Sequence, residues 1–403
     1  MVQLLMKANM KTHYAVLLII VSMLPMLASC QPSGKSDSPA AAALDSLKAR
    51  YAPDERVAVF QVSYGQQGSV AVARGEVDNA AAKGDALLVL RRILGGEVLD
   101  SIKVLPDPQL GDKRFGIVAV SVGNVRTNPR HTAAMGTQAM MGMVAKLLKK
   151  QGGWFLVQLP DRYLGWLEES AMKITNEAGV EAWRNASKVI VSSYFTMVRE
   201  QASSTSQPVR DAVAGTVMKH LGTKGSWVSV ELPDGCMGYV ERSNVEDFAH
   251  WKKTRKLTAE NVEKTAKSFL GVPYLWGGTS PKGMDCSGFT KTVYRLNGLE
   301  LSRDTDQQAE NGDDVAAGEE FQNLKKGDLL FFGRKGTSEK PEHISHVGIY
   351  LGNREFIHTP GGSWVKFNSF DMNAANYNEG LRKSFVRARR YIGSSKVPEV
   401  LGN

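Results

Sequence analysis

Three residues in the last third of the chain have the types and spacing of a nucleophile and its base. Cys286 lies in Gly283-Met284-Asp285-Cys286-Ser287-Gly288-Phe289, and Phe289, Val293 and Leu296 follow at helical spacing until Asn297-Gly298 stops the pattern. Cys286 therefore opens a helix. Free N–H groups and the helix dipole favour an anion there, so the thiol pKa is expected to fall and thiolate to become available. A base must manage the proton. His346 begins the strand-like run His346-Val347-Gly348-Ile349-Tyr350-Leu351, and Phe356-Ile357-His358 follows the turn Gly352-Asn353. A hairpin of these two strands sets both imidazoles on one face. Cys286 attacking, His346 as base and His358 orienting it is a nucleophile–base–orienter arrangement in papain-like chain order. The metal alternative joins Cys286 to His343 and His346. Residues i and i+3 of a strand face opposite sides, so neither a metal nor a cofactor is expected.

These residues need a frame. A helix over Thr258–Leu270, with Val262, Ala266 and Phe269 on one face and Gly271 after its end, starts a domain set at 256–395. Upstream, Gln151–Ser170 (QGGWFLVQLPDRYLGWLEES) matches Lys224–Ser243 (KGSWVSVELPDGCMGYVERS) at an offset of 73 residues, and the register extends to Arg126/Arg199 and Gly142/Gly215. Both copies alternate apolar and polar residues between Gly and Pro-Asp turns, which predicts two tandem β-modules at 116–178 and 188–252. Cys236 replaces Tyr163 between the copies and is expected to be a small, buried or half-buried thiol. Before the repeat, residues 44–115 give a short helix, a strand at Arg56–Ser63, a helical stretch at Asp78–Leu94 and further strands. This is a small α/β appendage without a catalytic cluster.

With 403 residues, 42% hydrophobic and 23% charged, the chain is globular and long enough for two to four domains. Its three cysteines form no C-x-x-C pair, so each is explained singly. Ala15–Ala28 is an uncharged run of 14 residues after Lys11, too short to cross about 30 Å of hydrocarbon at 1.5 Å per residue. It reads as a secretory signal over residues 1–29. Leu27-Ala28-Ser29-Cys30 resembles a bacterial lipobox, which makes Cys30 a lipidated N-terminus and places the protein on the membrane of the bacterial envelope, most simply at its periplasmic face. Residues 30–43 have linker composition. Losing Lys7 and Lys11 lowers the formal charge from +9 to +7. The basic runs Lys252–Lys256 and Arg387–Arg390 lack interleaved aromatic platforms, so no nucleic acid is expected as partner.

Pro273-Tyr274-Leu275-Trp276-Gly277-Gly278, Asp285-Cys286-Ser287-Gly288-Phe289, Arg303-Asp304, Gln307-Gln308-Ala309, Lys326–Phe332, His346–Tyr350 and Phe356–His358 together resemble the NlpC/p60 family of bacterial cell-wall cysteine peptidases. The two modules resemble bacterial SH3 domains. The resemblance implies a multidomain α+β protein: a papain-like catalytic domain behind two SH3-like β-barrels and the appendage. It is similar to the subgroup that cuts γ-D-glutamyl–diamino-acid bonds of peptidoglycan stem peptides, so muropeptides are the implied partners. It also implies Tyr274 and the Cys286 N–H as oxyanion donors and Tyr163 as a cap on the cleft. Asp285, Ser287, Arg303 and Asp304 take substrate-side places, Ser287 and Asp304 at the free amine of L-alanine and Arg303 at the glutamyl carboxylate. A glutamate of the subgroup that also binds the amine is replaced here by Ala134. An inert wall-binding protein, or an amidase or acyltransferase sharing the triad, are the competing readings. An intact Cys286, His346 and His358 speaks against the inert one. Oligomeric state is not legible in the sequence.

Overall fold

The computed structural model describes residues 38–398; the signal segment, Cys30 and the first part of the expected linker lie outside them. None of the described helices is long and apolar enough to cross a membrane.

The N-terminal unit begins earlier than its composition suggests. Pro39–Tyr51 is helical, with Ser38 accepting from the Ala41 N–H and Pro39 in the first turn. A proline there loses no helical hydrogen bond, and the alanine run favours helix, so residues 39–43 are helix and not tether. Ala40 and Leu44 are buried against the helix Ala80–Leu94 and a three-stranded sheet. In that sheet Phe60–Gln67 pairs antiparallel with Val70–Val77, which pairs parallel with Val98–Val104. The strand expected from Arg56 starts only at Phe60; the segment around Arg56 is a turn.

The two repeats fold alike. Phe115–Val118, Val122–Arg126, Met135–Met140, Val144–Gln151, Trp154–Gln158, Leu164–Glu168 and Met172–Thr175 form one seven-stranded sheet. Lys188–Val191, Phe195–Arg199, Pro208–Val213, Val217–Lys224, Trp227–Glu231, Met237–Glu241 and Val245–Asp247 form the second with the same strand order. Each strand of the second starts 73 residues after its counterpart, and each SH3-like module has its own apolar core, that of the second also taking in Met141 of the first. Cys236 is exposed, contrary to expectation, because it lies on the loop before Met237–Glu241, held to Asp234 and Leu232 at the surface of the module.

The C-terminal unit is a six-stranded antiparallel sheet ordered Asp313–Val315, Phe385–Arg390, Leu329–Arg334, His343–Gly352, Glu355–His358 and Lys366–Ser369. The helices Ala259–Lys267 and Cys286–Leu296 cover one face, with Val262, Ala266, Phe269, Phe289 and Val293 packed on Val347, Ile349 and Ile357. Thr258 caps the first helix through the Asn261 N–H. That helix ends at Lys267, three residues early, because Phe269 and Leu270 turn back on Ala266 and Lys267.

Candidate active site

Asp285 decides where the helix Cys286–Leu296 starts. Its Oδ1 accepts from the Gly288 N–H at 2.7 Å, its Oδ2 from the Gly277 N–H at 2.8 Å, and Cys286 follows as the first helical residue. Gly277 has φ +79°, and a Cβ on it would lie 2.3 Å from the Met135 carbonyl oxygen of the first SH3-like module. The turn before Cys286 therefore accepts glycine alone and is pressed against that module. Behind Asp285 stands Arg303, 2% exposed, donating through Nη2 to Asp285 Oδ2 at 2.6 Å and through Nη1 to Ser287 Oγ at 2.9 Å. Asp285, Ser287 and Arg303 thus brace the helix start from inside the protein. This differs from the expectation that Arg303 meets a substrate carboxylate, since both its terminal nitrogens are engaged internally and the residue is buried.

Cys286 Sγ lies 3.6 Å from Thr305 Oγ1 and is reached by the Val347 and Ser287 N–H groups. Its thiol is pushed up, first by burial and then by the Asp285 charge, against the pull of those donors. The depression expected at a helix N-terminus is outweighed, because the dipole acts on a sulfur almost removed from water and beside a carboxylate.

His346 sits in the middle of its strand, not at its start. His358 pairs across the sheet with Gly348, two residues on from His346, so both imidazoles share one face. Gly348 makes the room: a Cβ there would lie 3.2 Å from the His358 Cβ. His346 Nε2 is 2.7 Å from His358 Nδ1, and His358 Nε2 is 2.8 Å from Asn368 Oδ1. Asn368 Nδ2 donates to the Asn376 carbonyl at 2.7 Å, which fixes its oxygen toward the histidine. His358 must then carry its proton on Nε2, so its Nδ1 accepts from His346 Nε2–H. That leaves His346 Nδ1 with a free lone pair. Burial lowers the pKa of His346 to about 3, helped by His358, and that of His358 to about 4. Both rings are neutral at physiological pH. Asn368 escaped sequence reading because a lone asparagine on a strand carries no signal until its partner is placed.

Tyr274 is half-buried, and its phenol is raised to about 12 by burial and by the nearby Cys286 and Asp285 charges. It stays a hydrogen-bond donor. From the first SH3-like module, buried Tyr163 reaches Asp304, whose carboxylate shares a hydrogen bond with its phenol. Asp304 itself is raised by burial, although Arg303 and Arg56 pull it down. Ala134 is exposed, and the Met135 beside it touches Gly277.

The appendage also enters the site. Arg56 Nη1 donates to Asp304 Oδ2 and to Asp306 Oδ1, each at 2.9 Å, while Nη2 donates to Asp306 Oδ2 at 2.7 Å and Asp54 Oδ2 at 2.8 Å. Gln307 Nε2 donates to Asp54 Oδ2 at 2.6 Å, and the Leu164 N–H to the Arg56 carbonyl at 2.7 Å. The turn around Arg56 is thus anchored on both the catalytic unit and the Tyr163 loop. No sequence signal marked it, since Asp54 and Arg56 lie about 250 positions from their partners.

A profile of the NlpC/P60 family matches residues 271–390, and one described as bacterial dipeptidyl-peptidase Sh3 domain matches residues 125–172. A probable endopeptidase NlpC homolog of Haemophilus influenzae is 33% identical over 142 residues, covering 34% of this chain and 70% of that protein. The chain belongs to the NlpC/P60 family. It is a cysteine peptidase of that family. A γ-D-glutamyl-L-lysine dipeptidyl-peptidase of Bacillus cereus is 28% identical over 267 residues, 64% of this chain and 75% of that one. The crystal structure of an NlpC/P60 family protein from Bacillus cereus has the same fold, with a TM-score of 0.59 at 24% identity over 69% of this chain and 99% of that chain.

Proposed function

We propose that the protein hydrolyses the bond between γ-D-glutamate and the diamino acid of peptidoglycan stem peptides. Cys286 is the nucleophile, His346 its base and His358 the orienter. The observation that carries this is the directed relay Asn368–His358–His346, which leaves one basic nitrogen on His346. His346 Nδ1 takes the thiol proton as Sγ attacks the carbonyl carbon. A neutral thiol and a neutral imidazole are the resting state, so transfer and attack occur together. The resulting oxyanion accepts from Tyr274 and the Cys286 N–H, the latter free because the first helical N–H groups have no acceptor within the helix. Such donors are worth about 3 kcal/mol of barrier each. The departing amine takes the proton from His346, and water, deprotonated by His346, then cleaves the thioester.

The choice of bond rests on the match to the Bacillus cereus dipeptidyl-peptidase and on the closeness of Tyr163 to Asp304. Those two residues are suited to hold the amino end of a short peptide and end the cleft there. We take residues 116–178 and 188–252 as the SH3-like domains, 256–395 as the peptidase domain, and lipidated Cys30 as the anchor in the bacterial envelope. Mass spectrometry of products from L-Ala-γ-D-Glu-diamino acid peptides, free and N-acetylated, tests the reading. Release of the dipeptide L-Ala-D-Glu is expected; cleavage at another bond contradicts it.

A further inference from the structure

A cavity of about 510 Å³ lies where the two SH3-like modules, the helix Phe248–Thr254 and the nucleophile helix meet. It takes no part in the chemistry above. Arg295, in the last turn of the helix that Cys286 opens, lines it, and its Nη2 is closed off from solvent without a hydrogen-bond partner. The Nη2 lies 3.3 Å from where a Cβ on Gly215 would stand, so the second module's turn, at φ +87°, is shaped to admit it.

Arg255 lines the same cavity, with its guanidinium 4.2 Å from the Trp251 ring centre. The two acids of the lining, Asp161 and Glu300, are both engaged by Lys291. Among the described residues neither Arg255 nor Arg295 makes an ion pair. Burial lowers the pKa of both, against the pull of Glu300 on each and of Asp161 on Arg295. Lys252 adds a further positive charge at the wall, and Trp183 and Trp251 supply aromatic surface.

We infer that this cavity is a binding site for a carboxylate-bearing organic anion. Arg255, Arg295 and Lys252 supply the positive charge that a carboxylate needs, the tryptophans cover an organic body, and the volume is that of a small-ligand site. The inference does not depend on which bond the enzyme cuts.

Calorimetric titration of the full chain with citrate, with inorganic phosphate and with glycerol as neutral control tests it. Citrate is expected to saturate one site, more weakly as salt is added. Arg295→Gln should weaken it about ten- to a hundredfold, the size of a lost charged hydrogen bond, while Cys286 alkylates at the wild-type rate. Should Arg295→Gln fail to fold, Arg255→Gln carries the same expectation. No saturable binding at millimolar citrate, binding unchanged in the variants, or phosphate bound as tightly as citrate would each overturn the assignment.

Discussion

Arg303→Met isolates the buried pair that holds the nucleophile helix. Arg303 makes two hydrogen bonds to Asp285, at 3.2 and 2.6 Å, and one to Ser287, with its side chain 1% and that of Asp285 9% exposed. Removing it strands a carboxylate out of water, which costs about 3–5 kcal/mol in comparable sites. Adding Asp285→Asn removes the stranded charge and keeps an oxygen for the Gly288 N–H. The double variant should therefore lose only about 1–2 kcal/mol, the scale of the hydrogen bonds not remade. At about 3 °C per kcal/mol, the single variant's catalytic unit should melt about 10 °C lower and the double variant's only a few degrees lower. The Asp285 charge already pushes the Cys286 thiol up. Iodoacetamide alkylation at pH 7 should accordingly slow in Arg303→Met and recover in the double variant. Thermal unfolding followed by fluorescence, with alkylation rates on the same preparations, reads both effects. A single variant within about 1 kcal/mol of wild type, or a double variant no more stable than the single, would refute the brace.

Four further outcomes are expected. Asn368→Leu should lower kcat about ten- to a hundredfold with KM little changed, as steady-state kinetics would show, because His358 then loses the acceptor that fixes its tautomer. The acid limb of kcat/KM should fall only as pH drops through about 4 to 3, where the buried histidines protonate and His346 can no longer accept the thiol proton; a limb at pH 6 to 7 contradicts neutral, depressed imidazoles. Arg56→Ala should raise KM for short peptides about tenfold and make residues 52–60 sensitive to limited proteolysis, since it frees the turn from Asp304 and Asp306. Ala134→Glu should raise the preference for a free over an acetylated amino end about ten- to a hundredfold in competition assays, by placing a carboxylate where none now stands.

The helix that Cys286 opens, the hairpin carrying His346 and His358 and the duplicated module were legible because each rests on short-range pattern: helical spacing after Cys286, period-two strands around Gly352-Asn353, and a repeat at constant offset. The thiol's pKa was misread because a helix N-terminus is visible in sequence while the burial that outweighs it is a tertiary fact. The internal bonds of Arg303 to Asp285 and Ser287 were likewise not legible, since its place in the resemblance said nothing of what it packs against. Residues 39–43 read as tether because small residues suit linkers and helices alike; only burial of Ala40 separates the two. Arg56 and Asn368 were invisible because their partners come from distant segments.

The central claim is a cysteine nucleophile served by His346. Turnover of L-Ala-γ-D-Glu-L-Lys by full-length Cys286→Ala, with products resolved by mass, tests it most directly. Hydrolysis should fall more than about 10⁴-fold with thermal stability unchanged. Release of L-Ala-D-Glu by that variant at near the wild-type rate would contradict it.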